Sequence, residues 1–278
     1  MPTITDTHVH LYPCYDPGAL FSHALRNLAE LRRSLAPAER QGAAADRVQY
    51  ALFLTEARQN RFFRRLCDGG VRMPQELGRL EPAGRDCLVA RGGEAAGGLY
   101  LFPGRQIVTR DGIEVLALLA DLDIPDGRPL DEVMGRVLAE GAVPVLPWSP
   151  GKWFGARGEI VRQVLEQVSP AEVLVGDTTL RPYGWHEPML MRAAAAHGFR
   201  VVAGSDPLPF AGEERWAGRY GTVFGAALDD ASLTDGARRM LLDPKVTLRR
   251  CGRRSYVSGL LWRLWRNHRS KGGQAVRR

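Results

Sequence analysis

The sequence predicts an α/β barrel built on a mostly parallel sheet. Short β-prone runs alternate with segments of helical period along most of the chain, and parallel neighbours need such long crossover connections. Polar, chemistry-bearing residues recur immediately after the strands, where barrels gather their active groups. At 278 residues, with 45% hydrophobic and 25% charged, the chain has the size and balance of one large globular domain, although two small ones would also fit.

The first strand is read over Thr3 to Tyr12, where Ile4, Val9 and Leu11 are mixed with Thr. Pro17 to Ser34 follows with Leu20, Phe21, Leu25, Leu28 and Leu31 near helical spacing, Asp16 as N-cap and Pro17 in the first turn. The Ala-rich residues 35–46, which include Pro37, fit a second short helix. Val48 to Leu54 is a strand that runs straight into Thr55 and Glu56, with a helix from Gln59 to Leu66 after it. Residues 67–97, rich in Gly, read as an irregular surface excursion. Leu99 to Leu119 reads as strand segments around the hairpin signal Asp111-Gly112. Beyond it, helices at Pro129–Glu140, Glu159–Val168 and Met189–Ala196 alternate with strands at Ala142–Leu146, Glu172–Val175 and Phe199–Ala203. A short strand at Thr222–Phe224 and a helix near Asp235–Leu242 complete a barrel domain over 1–248, leaving 249–278 as a basic, aromatic-rich tail.

The net charge of +7 is a property of that tail. From Arg249 to Arg278 there are nine Arg and one Lys without a single acid; removing those ten from the 38 basic residues leaves 28 against 31 acidic ones. Any argument for a polyanion or a membrane surface therefore rests on the tail alone. No apolar run approaches the ~18 residues of a membrane span, and no signal-peptide pattern precedes the first strand, so a cytoplasmic body is expected. Cys14, Cys67, Cys87 and Cys251 show neither CxxC spacing nor a dense framework, and they read as isolated reduced thiols.

Chemistry is expected first at His8 and His10. Two residues apart on a strand, they share one face, and two imidazoles at that spacing can grip a single metal ion on a rigid support. A polar surface pair is the bland alternative, since HxH alone is a weak motif. Asp206, after the sixth strand, is the best carboxylate to complete the site, although Gly-Ser-Asp-Pro is also ordinary turn chemistry. Glu56 after the second strand is a further candidate ligand, and Asp177 in Gly-Asp-Thr-Thr is either a catalytic acid or a turn cap.

Lys152, Arg157, Arg181 and Arg219 stand in loops rich in Gly and Pro, and Gln106 lies in the third strand region. Together at one rim they would favour a small anionic substrate, because Arg grips phosphate or carboxylate with two parallel hydrogen bonds and Lys adds a point charge. Singly, each is an ordinary solvated charge. His197 precedes Gly198 at a helix end, where a structural role is expected; His23 and His268 read as structural or exposed, and His186 as a loop residue near the rim.

Asp6-Thr-His-Val-His10 resembles the opening motif of the polymerase-and-histidinol-phosphatase (PHP) type of metal-dependent phosphoesterases, within the amidohydrolase-like barrel group. The resemblance continues in Phe53-Leu-Thr-Glu56, in Phe102-Pro-Gly-Arg-Gln-Ile-Val-Thr109 with the hairpin Asp111-Gly-Ile-Glu-Val-Leu116, and in Gly204-Ser-Asp-Pro207, covering most of residues 3–225. It implies a distorted TIM-like (β/α)7 barrel, up to three divalent ions and phosphoester hydrolysis. Several ligand positions depart from the family pattern: Glu56-Ala57 stands for Asp-His, Gln106 for Glu, Leu116 for a hairpin His, Pro147-Trp148 for His-Pro, and Asp206-Pro207-Leu208 for the terminal Asp-x-His. Too few ligands remain for three ions. One ion (Zn, Mn or Fe) held by His8, His10 and Asp206, with Glu56 as a further ligand, is feasible; so is loss of the metal altogether.

Two functions follow from this. One is a one-metal hydrolase for a phosphoester or other anionic substrate, with Asp206 or Asp177 as ligand or base and Lys152 and Arg181 holding the anion. The other is a catalytically inactive barrel that binds a ligand or partner through the same basic loops. In the tail, Tyr256, Leu260, Leu261, Trp262, Leu264 and Trp265 interleave with Arg253, Arg254, Arg263, Arg266 and Arg269. This suits either an amphipathic helix at an anionic membrane surface or a helix whose Trp and Leu dock on the barrel while its arginines stay solvated, with docking favoured. Nucleic acid is disfavoured, because the aromatic residues cluster instead of spreading along a groove. Oligomeric state leaves no trace in the sequence.

Overall fold

The structure, a computed structural model, describes residues 1–35, 48–57, 59–71, 73–84, 86–92, 95, 97–228 and 232–275, with side chains up to residue 270. The short helix expected over 35–46 lies outside the described residues apart from Leu35.

The chain opens with strand β1 (Thr3–Val9) and helix α1 (Pro17–Arg33). Asp16 caps α1 by accepting the Ala19 N–H at 2.7 Å, and Leu20, Phe21, Ala24, Leu25 and Leu28 form its buried stripe. Next come β2 (Gln49–Ala57), α2 (Phe62–Cys67), and a small hairpin of β3 (Leu80–Pro82) and β4 (Leu88–Ala90) inside the stretch expected to be irregular. The hairpin β5 (Leu99–Val108) and β6 (Glu114–Leu118) turns at Asp111-Gly112, where Gly112 has φ +73°.

The second half alternates α3 (Leu130–Ala139), β7 (Val143–Pro147), α4 (Gly155–Gln167), β8 (Leu174–Thr178), α5 (Met189–Ala196) and β9 (Arg200–Gly204). It ends with β10 (Tyr220–Phe224), α6 (Leu233–Leu242), β11 (Leu248–Gly252) and α7 (Val257–Ala275).

One sheet runs β11-β10-β1-β2-β5-β6-β7-β8-β9, with β4 against β5 and β3 against β4. It curls until β9 meets β1 and β10, giving a nearly closed, distorted TIM-like barrel. The seam is joined by Thr7 Oγ1, which donates to the Ala203 carbonyl at 3.0 Å, and by the Ala203 N–H, which donates to Thr222 Oγ1 at 2.8 Å. The sheet is more mixed than the alternating pattern predicts. β1–β2, β2–β5, β7–β8 and β8–β9 are parallel, but the hairpin leaves β6 antiparallel to both neighbours, and β10 and β11 return antiparallel beside β1.

The strand β11 has no counterpart in the sequence reading: two Arg in five residues hide it, and it comprises the first residues of the basic tail. Phe53, Phe102, Val143, Leu174, Val202 and Phe224 pack together, closed over by Leu233, Met240 and Leu241 of α6. With that part of the barrel filled by side chains, polar groups at the strand ends are held on a stiff frame.

Candidate metal centre

Asp6 and His8 in β1 and His10 just after it are all buried, with an irregularity in the β1–β2 register between Asp6 and Val9. Asp6 serves as a brace. Its carboxylate accepts N–H groups from His8 (3.1 Å), Ser205 (2.9 Å) and Gly218 (2.8 Å), which ties β1 to the loop after β9. Burial pushes Asp6 up to about 6 against the pull of those donors.

Asp206 follows β9 at φ +48°, a left-handed conformation uncommon for Asp, and its N–H donates to the His8 carbonyl at 2.9 Å. Gly204, at the end of β9, is required by this approach: a Cβ there would lie 2.5 Å from the His8 backbone nitrogen. The strained turn thus delivers the Asp206 side chain to the two imidazoles.

His8 Nε2 and His10 Nε2 are 3.0 Å apart, and Asp206 Oδ1 is 3.6 Å from each. These donors form the three-residue group, among the described residues, whose ligand atoms all lie within 4.8 Å of one another. Tetrahedral ligands at about 2.0–2.1 Å from a zinc ion stand about 3.3 Å from one another, so the three spacings bracket the edges of such a polyhedron. The donor set therefore fits one divalent ion.

Protonation agrees with that fit. Burial lowers His8 to about 4, outweighing the pull of Asp206, so its imidazole is neutral near pH 7. Burial alone would push Asp206 up, but His8, His10 and Arg263 hold it below the usual carboxylate range. Among the described residues neither His8 Nδ1 nor His10 Nδ1 meets an acceptor of the kind that usually orients a metal-bound imidazole.

At the rim, Gln106 Oε1 lies 3.3 Å from His8 Nε2, and Gln106 Nε2 donates to Glu114 Oε1 at 3.4 Å. The same Glu114 oxygen pairs with Lys152, whose charge helps to lower His8. Gln106 and Lys152 are thus brought to the centre.

The other expected residues are engaged elsewhere. Glu56 accepts the N–H groups of Phe62 (2.7 Å) and Phe63 (2.6 Å), the free donors at the start of α2, so both its oxygens are committed. Asp177 accepts from Arg181 Nη2 (2.5 Å), Tyr220 Oη (2.8 Å) and Arg250 Nη1 (2.9 Å). Arg181 lines a cavity of about 730 Å³ with Arg200, Tyr220 and Arg250. Arg219 sits over the Trp216 ring at 4.5 Å and lines a second cavity of about 450 Å³ with His23 and Arg26. Arg157 is exposed beside the Gly112 turn. His197 caps α5, bonded through Nδ1 to the Ala193 carbonyl at 2.7 Å, as a structural His should be.

Neither a family model nor a curated protein matches the chain. Among solved structures, it is similar to the crystal structure of PsfC from Pseudomonas syringae PB-5123, at a TM-score of 0.54 and 14% identity over 98% of this chain and 99% of that one. It is also similar to PfuEndoQ from Pyrococcus furiosus, described as a novel lesion-specific endonuclease, at a TM-score of 0.53 and 9% identity over 91% of this chain and 59% of that one. The fold shared with both is a distorted TIM-like barrel. At such identities the likeness carries the architecture and nothing of the chemistry.

Two residues of the candidate centre escape the sequence reading. Tyr12 stacks on His10 with ring centroids 5.1 Å apart, and burial, with Asp206 and Glu114 nearby, keeps its hydroxyl protonated. Arg263 of α7, only 1% exposed, pairs with Glu213 at 2.6 Å and donates to the Asp206 carbonyl at 3.2 Å. The tail was expected to keep its arginines in water. Arg263, like the partly buried Arg250, departs from that, and its place between Leu260 and Leu264 on one helical face is the signal that could have found it.

Proposed function

We propose that the chain is a PHP-like hydrolase that acts through a single divalent ion on a phosphoester or another small anionic substrate. The observation that carries this reading is the convergence of His8 Nε2, His10 Nε2 and Asp206 Oδ1 at spacings of 3.0 and 3.6 Å in a buried site. Zinc, manganese or iron held there would act as a Lewis acid toward a phosphoryl oxygen and acidify water. The His8 imidazole contributes a neutral lone pair beside that of His10, and the Asp206 carboxylate offsets part of the cation's charge.

Around them the chain supplies orientation. Lys152, steered by Glu114, presents positive charge to an anionic oxygen, while the Gln106 amide and the Tyr12 hydroxyl offer hydrogen bonds beside His8 and His10. Asp206 is the carboxylate assigned to the reaction. Asp177, engaged by Arg181, Tyr220 and Arg250, is assigned to holding the end of β8. With Glu56 committed to α2, one ion is favoured over three.

A second reading, a barrel that binds an anionic ligand without turnover, is favoured by one observation: neither imidazole Nδ1 has a hydrogen-bond partner among the described residues. Elemental analysis of the purified chain separates the two. The hydrolase reading expects about one Zn, Mn or Fe per chain, lost in His8→Ala, together with metal-dependent hydrolysis of a nitrophenyl phosphate mono- or diester. A folded, metal-free chain that no divalent ion activates would overturn it.

A further inference from the structure

The helix α7 carries a docked apolar face and an exposed apolar face beside it. One face is docked: Leu260 is buried with Leu180, Leu208 and Phe210, Leu264 packs against them, and Arg263 lies in its pair with Glu213. Beside it, Leu261, Trp262 and Trp265 are 62%, 44% and 51% exposed, with Val257 also exposed, and Trp262 keeps an edge contact with the docked Phe210 at 5.9 Å. Leu261, Trp262 and Trp265 form a solvent-facing stripe along the flank of the docked seam, with Val257 one turn before Leu261. Tyr256, just before the helix, is also exposed and in ring contact with the exposed Tyr183 at 5.5 Å.

Cations flank these rings. The Arg266 guanidinium lies 5.5 Å from the Trp262 ring centre, and that of Arg269 lies 4.9 Å from the Trp265 ring centre. The segment 249–278 that carries them holds ten basic residues and no acid. A solvent-facing row of Trp and Leu bordered by Arg matches the requirements of a lipid interface, where aromatic rings seat at headgroup level and long cationic side chains reach lipid phosphates.

We infer that this face of α7 docks on an anionic bilayer surface, lying in the interface plane without spanning it. No helix among the described residues is long and apolar enough to cross a membrane. Charge decides against a second copy of the chain as the occupant, because a two-fold contact through this stripe would set Arg266 and Arg269 against their own images. The inference does not depend on the metal site, which α7 touches through the buried Arg263.

Sedimentation of the full-length chain with vesicles tests it, using phosphatidylcholine alone and phosphatidylcholine with about 30% phosphatidylserine. The chain should partition onto the anionic vesicles with a blue shift of Trp emission, and added salt should weaken binding. Leu261→Ser/Trp262→Ser/Trp265→Ser and Arg266→Glu/Arg269→Glu should each lower partitioning at least about tenfold while keeping the native circular dichroism. Absence of binding by the folded wild type, or equal binding by both variants, would overturn the inference. So would a wild-type dimer, detected by light scattering, that the serine variant dissolves.

Discussion

The Asp206 N–H donates to the His8 carbonyl at 2.9 Å, so the two arms of the candidate centre are joined through the main chain. This bond exists because Gly204 lets the end of β9 lie against His8. Gly204→Ala should push the arms apart. An overpacked contact of this kind typically costs about 1–3 kcal/mol, and the Asp206 carboxylate should leave the reach of the imidazoles. Urea denaturation together with metal stoichiometry checks both effects; a variant that keeps wild-type stability and metal content would show that the close approach is not needed.

Arg263 and Glu213 form a buried ion pair, at 1% and 0% side-chain exposure. Removing one partner strands the other charge away from water, which typically costs about 3–5 kcal/mol. Arg263→Met should therefore unfold at markedly lower denaturant concentration. Because Arg263 also holds the Asp206 carbonyl, metal affinity should fall in the folded fraction. The double variant Arg263→Met/Glu213→Leu should recover much of the stability without recovering the affinity, so the two measurements separate packing from positioning.

The parts of this centre that were legible in the sequence are those written in local periodicity. His8 and His10 declare a shared face by their spacing, and Asp206 is marked by the apolar strand before it. Asp16 before Pro17 locates the start of α1 to the residue. Partners distant in sequence were not legible. Nothing around Glu56 says that the start of α2 will consume both its oxygens, and nothing around Asp177 says that Arg250 will arrive from β11. A carboxylate after a strand looks the same whether it ends on a metal, a helix start or an arginine. Arg263 was hidden in another way, since in a segment dense with arginine one buried member has no compositional mark.

Lys152 is the rim cation whose charge acts on His8, and it is paired with Glu114. If the anion-holding role is correct, Lys152→Gln should leave metal content unchanged and lower kcat/KM for an anionic phosphoester by about 10- to 100-fold, the scale of one charge-assisted contact. The loss should be smaller for a neutral ester. An equal loss for both substrates would place Lys152 in the support of the site and not in contact with the anion.

Asp177 gives the fold a pH dependence of predictable sign. Burial alone would raise its carboxyl, but Arg181, Arg250 and Tyr220 overcome that and hold it below the usual range. A carboxylate with a depressed folded value binds its proton more tightly in the unfolded chain, so its contribution is fully present above the unfolded value, about 4. It is lost progressively as pH falls through that value toward the lower folded one. Denaturation midpoints should therefore drop between about pH 5 and pH 3, and Asp177→Asn should start lower and show a shallower acid slope. The reduction at neutral pH should be about 3 kcal/mol, since Arg181 and Arg250 would be left facing a neutral amide in a buried site. An acid limb of the same steepness in wild type and Asp177→Asn would assign the acid sensitivity to other carboxylates.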